Sequence, residues 1–147
     1  MSDQKPGSPQ KPESQKDEDA IALAQGLFDL ARSGGTRMLQ PLLEAGVPVD
    51  IRTSDGDSLL MLAISHKQPD TARFLLEKGA DPNLANNQLR TPLMAAAVAN
   101  QVETVDLLLK AGADPRATDM DGARAADLAN AHGAKETALR LGARDGE

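Results

Sequence analysis

From Asp19 onward apolar residues recur at spacings of three and four, the pattern of helices that bury one face. Leu93, Ala96 and Ala97 share one face of the segment LMAAAVAN, and Val105, Leu108 and Leu109 share the inward face of the segment that follows. Local signals delimit both helices. Thr91 is placed to cap the first through its hydroxyl, and Pro92 takes the first helical position, where no N–H is needed. Asn100 and Gln101 turn the chain, a second helix is predicted from Val102 to Lys110, and Gly112 stops it in a left-handed conformation. The preceding stretch repeats the arrangement, with Ser58 as cap, Pro69 opening the second helix and Gly79 closing it.

The pattern is periodic on a longer scale. Gly46, Gly79 and Gly112 are 33 residues apart, and Leu43, Leu76 and Leu109 keep that interval, as do Leu27, Leu60 and Leu93. Leu30, Ala63, Ala96 and Ala129 extend it to four members. Separate ladders at one period identify a repeat protein, each unit being a helix, a tight turn, a second helix and an extended loop. Small Ala residues let the first helices approach closely, while Leu residues of the second fill the layer between units. The expected division is a disordered tail over residues 1–17, rich in Pro, Gly, Ser, Gln and Lys, then a repeat domain over 18–147. Its approximate units are 18–52, 53–85, 86–118 and 119–147.

RTPLMAAA followed by VETVDLLLKAGADP, and SLLMLA followed by DTARFLLEKGADPN, resemble the ankyrin repeat, whose period is 33 residues and whose signature is T-P-L-H-x-A. The resemblance covers about residues 18–142. It implies an all-α fold, an ankyrin-repeat solenoid of about four helix–turn–helix units with hairpin-like connecting loops. The first and last units depart from consensus, as units that turn one face to water must. The short chain, the G-V-P-V-D loop and S-L-L-M-L-A are similar to small free-standing ankyrin proteins of bacteria.

Some positions differ from the family pattern. Met61 and Met94 replace the signature His, which implies some loss of stability and a more adaptable core. Leu89 stands where the family places the glycine of the hairpin tip (compare Gly56 and Gly122), so this tip is expected to be distorted. Arg124 replaces the capping Thr of the last unit.

The resemblance implies that partners bind a concave face built from the hairpin tips and the exposed side of each first helix. Carried across, the variable positions are Ser54, Asp55 and Asp57 at the first tip, Asn87, Gln88 and Arg90 at the second, and Met120, Asp121 and Ala123 at the third. On the first helices they are Arg32 and Ser33, Ser65 and His66, Val98 and Ala99, and Ala131 and His132. Each taken singly also reads as an ordinary solvated residue. The first tip is acidic, the second polar with one Arg, and the middle of the groove apolar at Val98 and Ala99. A partner with basic and small apolar features suits it, with Met120, Arg90 and the two histidines as the expected main contacts.

Composition narrows the function. Two Phe with no Trp or Tyr leave few of the aromatics that dominate compact cores and binding hot spots. A net charge of −6 argues against nucleic acid and against an anionic membrane surface. With no cysteine there is no disulfide, thiol nucleophile or Cys-ligated zinc. No apolar run approaches a membrane span, the N-terminus has no signal-like stretch, and a cytoplasmic location is expected.

No catalytic residue, cofactor or metal is expected. The sequence has no glycine-rich phosphate loop, G-x-S-x-G elbow or metal-spaced His cluster. Neighbours on a helix point about 100° apart, so Ser65 and His66 are no catalytic pair. His66 and His132, two units apart, are expected on the order of 16–20 Å from each other, too far to share a metal. Asp55 and Asp57 are expected on an open tip, without the enclosure that acid–base catalysis by a carboxyl pair needs. The expected role is therefore a non-catalytic module, monomeric when free, that binds another protein. Its resemblance to bacterial ankyrin proteins implies an alternative, a dedicated protective or immunity partner of one enzyme or toxin.

Overall fold

The computed structural model describes residues 15–145 of the chain, and these form eight helices. The helices are α1 (Gln15–Ser33), α2 (Thr36–Glu44), α3 (Leu59–Ser65), α4 (Pro69–Glu77), α5 (Pro92–Val98), α6 (Val102–Lys110), α7 (Ala125–Ala131) and α8 (Lys135–Asp145). The fold is the expected all-helical solenoid. Most of the expected tail, residues 1–14, lies outside the described residues, and α1 begins three residues ahead of the expected domain start at 18.

Helix ends follow the capping chemistry of the sequence. The Ser58 hydroxyl accepts from the Met61 amide at 3.1 Å, and the Thr91 hydroxyl accepts from the Met94 amide at 3.3 Å. Helix α4 opens at Pro69, and α6 spans Val102 to Lys110, both as the sequence indicates. In α7, Arg124 stands at the cap and Asp127 reaches back to take its amide at 3.0 Å. That bond, opposed by partial desolvation and helped by the neighbouring guanidinium, holds the Asp127 carboxyl below its ordinary 3.8.

Each turn from first to second helix has a residue in left-handed conformation: Gly34, Lys67, Asn100 and Gly133, again 33 apart. The turns are tied across units by glutamine. Gln68 donates to the Arg32 carbonyl at 3.0 Å and Gln101 to the Ile64 carbonyl at 2.8 Å.

The first helices α1, α3, α5 and α7 pack side by side in one layer, and α2, α4, α6 and α8 form the other. Leu27, Leu60 and Leu93 are buried, as are Ala63, Ala96 and Ala129, so these first-helix ladders lie between units. The second-helix ladder differs from expectation. Leu75, Leu108 and Leu141 are fully enclosed, whereas Leu43, Leu76 and Leu109 are half-buried at the edge of the core. A residue one position along a helix is rotated about 100°, enough to move it from the seam to its margin. Met61 and Met94, in place of the signature histidines, are both buried.

Candidate functional site at the row of hairpin tips

Three hairpin tips, residues 53–57, 86–90 and 119–123, share one backbone geometry. The amides of Thr53, Asn86 and Asp119 donate to the carbonyls of Asp57, Arg90 and Ala123 at 2.9, 2.9 and 3.0 Å. The amides of Gly56, Leu89 and Gly122 each close a tight turn onto the carbonyl of the tip's first residue at 2.9 Å.

The first side chain of each tip holds the loop from within. The Thr53 hydroxyl accepts from the amides of Asp55 and Asp57, Asn86 Oδ1 from those of Gln88 and Arg90, and Asp119 Oδ1 from those of Asp121 and Ala123. Short polar side chains satisfy turn amides in this way. These three residues were not among the expected site positions. Their sequence signal is a Thr, Asn or Asp recurring every 33 residues at the start of each tip.

Neighbouring tips are bonded to one another. The Asn87 amide donates to the Asp55 carbonyl at 3.0 Å, and its side-chain amide donates to the Ser54 carbonyl at 2.9 Å. Asn86 Nδ2 donates to Asp57 Oδ1 at 3.0 Å. At the next junction the Met120 amide donates to the Gln88 carbonyl at 3.2 Å, and Arg90 Nε lies 3.6 Å from Asp119 Oδ2. The Asp119 side chain is only 3% exposed, so Arg90 compensates a buried carboxylate and its first duty is structural.

The expected distortion of the second tip does not occur. Leu89 adopts φ 62° and completes the same turn as Gly56 (φ 86°) and Gly122 (φ 82°). Its neighbours' hydrogen bonds impose the left-handed conformation on a residue that ordinarily avoids it.

Three hollows run along the row and share lining residues. The first, about 340 Å³, lies between α1 and the first tip and is lined by Arg32, Ser54, Asp55 and Asp57 with Phe28 and Asp29. Asp57 also lines the second, about 320 Å³, with Ser65, Gln88, Arg90, Val98 and Ala99. Gln88 and Arg90 line the third, about 240 Å³, with Asp119, Met120 and Asp121. Most of the expected positions are thus brought together. Ser33, His66, Ala131 and His132 line none of these hollows, although all four are exposed at the ends of their first helices. Asn87 and Ala123 belong to the tips' own bonding.

Not every expected contact is available to a partner in full. Arg32 is paired with Asp29 at 3.0 Å, Arg90 with Asp119, and Asp57 accepts from Asn86. Ser65, Gln88, Met120 and Asp121 are exposed, Met120 by 69%. A larger hollow of about 510 Å³ lies away from the tips, at the turns between first and second helices, and includes Lys67, Asn100, Gln101 and Glu136. Sequence reasoning did not single it out. The described residues contain no group of three or more side chains able to hold a metal, and no helix among them is long and apolar enough to cross a membrane.

Comparison with known proteins agrees with the geometry. A family model of ankyrin repeats, three copies, matches residues 27–119, well over half of the chain. A protein of Pseudomonas aeruginosa whose own name classes it among ankyrin repeat proteins is 44% identical over 62 residues. That match covers 42% of this chain and 36% of the relative, so the chain spans little more than a third of the relative's length.

Proposed function

The chain belongs to the ankyrin-repeat family, and on that premise we propose that it binds another protein through the concave row of tips. Ankyrin repeats are generally modules of protein–protein interaction and generally non-catalytic. The observation that carries the reading is the continuity of the row. Three tips, pinned from within and bonded to each other, offer exposed side chains beside one groove whose floor includes half-buried Val98 and Ala99. A surface held rigid before binding loses little entropy on forming a complex.

In this reading Ser54, Asp55, Ser65, Gln88, Met120 and Asp121 meet the partner directly. Asp57, Asn87 and Arg90 hold the tips in place, and Arg32, Ser33, His66, Ala123, Ala131 and His132 form the rim. The free protein is a monomer in the cytoplasm and carries out no reaction.

The test is affinity capture from native extract, with the intact chain beside a variant carrying Ser65→Glu, His66→Ala, Met120→Ala and Asp121→Ala. These four residues are exposed, and none lends its side chain to the tip bonding described above. The expected result is one abundant protein lost in the variant. Retention of that protein by the correctly folded variant would move binding off the concave face.

A further inference from the structure

The second tip junction is built differently from the first. By the 33-residue equivalence Leu89 and Met120 occupy the places of Gly56 and Asn87. At the first junction a side chain is excluded, because a Cβ on Gly56 would stand 2.5 Å from Asn87 Oδ1 and 2.7 Å from the Asn87 amide nitrogen. The second junction carries a leucine at that place, in a left-handed conformation that L side chains rarely adopt.

The fold covers only part of this leucine. Leu89 is 53% exposed and Met120 is 69% exposed, so two large apolar side chains are set at one junction with much of their surface in water. A strained backbone that holds an exposed apolar side chain is a cost to the free protein, and such outliers concentrate at sites of recognition. The charge beside them has a definite sign. Of the charged groups lining the adjoining hollow, Arg90 and buried Asp119 are held against each other, and Asp121 is exposed.

We propose that Leu89 is a partner-contact residue, forming with Met120 and Asp121 a docking point for a protein segment that sets an apolar side chain beside a lysine or arginine. The apolar pair receives the apolar side chain, and Asp121 pairs with the neighbouring cation. The inference rests on the concave-face reading and adds to it a residue, narrowing the expected basic and apolar partner features to one segment at one junction.

The experiment places a diazirine-bearing leucine analogue at position 89, or at Ser65 in a second sample, and irradiates each in native extract. Cross-linked peptides are sequenced, and the captured protein is purified for titration against Leu89→Gly and Asp121→Lys. The expected result is a cross-link from position 89 to a segment with an apolar residue within two positions of Lys or Arg. Leu89→Gly and Asp121→Lys should each weaken Kd at least tenfold, with the melting temperature of Leu89→Gly no lower than that of the parent. A cross-link from position 65 but not 89, a link from 89 to an acidic segment or a second copy of this chain, or an unchanged Kd in Leu89→Gly would overturn the inference and leave the concave-face reading standing. If neither position yields a cross-link, the concave-face reading falls and the inference falls with it.

Discussion

The two junctions between hairpin tips show how one repeat can be tuned for stability in one place and depart from it in the next. At the first, glycine and asparagine permit close approach, and side-chain bonds from Asn86 and Asn87 add to the shared backbone bond. At the second, leucine and methionine stand at the equivalent places. The backbone bond persists at 3.2 Å, but Met120 has no side-chain amide with which to repeat the bond that Asn87 makes to the Ser54 carbonyl. The polar work passes instead to Arg90 and Asp119. Since both junctions keep the same backbone geometry, the difference lies in what the side chains are free to do. The first junction spends its side chains on the fold, whereas the second leaves two apolar ones facing water.

The largest effect should come from imposing the second junction on the first. Gly56→Leu adds left-handed strain of about 1–2 kcal/mol and overpacking of about 1–3 kcal/mol against Asn87, a loss of about 2–5 kcal/mol measurable by urea denaturation. A loss under about 1 kcal/mol would mean that the first junction yields as readily as the second. Next comes the internal pin of the third tip. Asp119→Ala removes the acceptor of two backbone amides and leaves Arg90 without its partner, costing about 1–3 kcal/mol. Amide exchange should quicken at Asp121 and Ala123 while the first tip stays protected. Equal quickening at both tips would show the row to be one cooperative unit.

Smaller effects sharpen the contrast. Asn87→Met should lose about 0.5–1.5 kcal/mol by removing the bond to the Ser54 carbonyl, seen as a lower thermal midpoint. Leu89→Gly should move the midpoint the other way. Relief of about 1–2 kcal/mol of left-handed strain offsets the roughly 0.5–1 kcal/mol of added chain entropy, leaving a gain of about 0–1.5 kcal/mol. A loss of stability in Leu89→Gly would mean that the leucine is held by packing rather than merely tolerated.

Much of the solenoid was legible because its signals are local or repeat. Ser58 and Thr91 reach amides three residues away, Pro69 and Pro92 mark helix starts, and Gly79 and Gly112 mark helix ends. The candidate face was legible only as a set of positions. Nothing near Arg90 in the chain announces that its guanidinium is held by Asp119, 29 residues on, or that Asn86 bonds both its own loop and Asp57 in the unit before. Leu89 read as a distorted tip because its own preference was considered without the hydrogen bonds that overrule it.

The sequence by itself therefore determined the period, the limits of the central helices and the family, since capping, proline geometry and repetition act within a few residues or recur at fixed spacing. Tertiary structure alone decided that Leu75, Leu108 and Leu141 form the enclosed seam, which polar side chains serve the tips, and which apolar ones remain exposed. Those outcomes depend on atoms contributed by the adjoining unit, and a pattern read along one chain does not show how deeply the next unit covers each position.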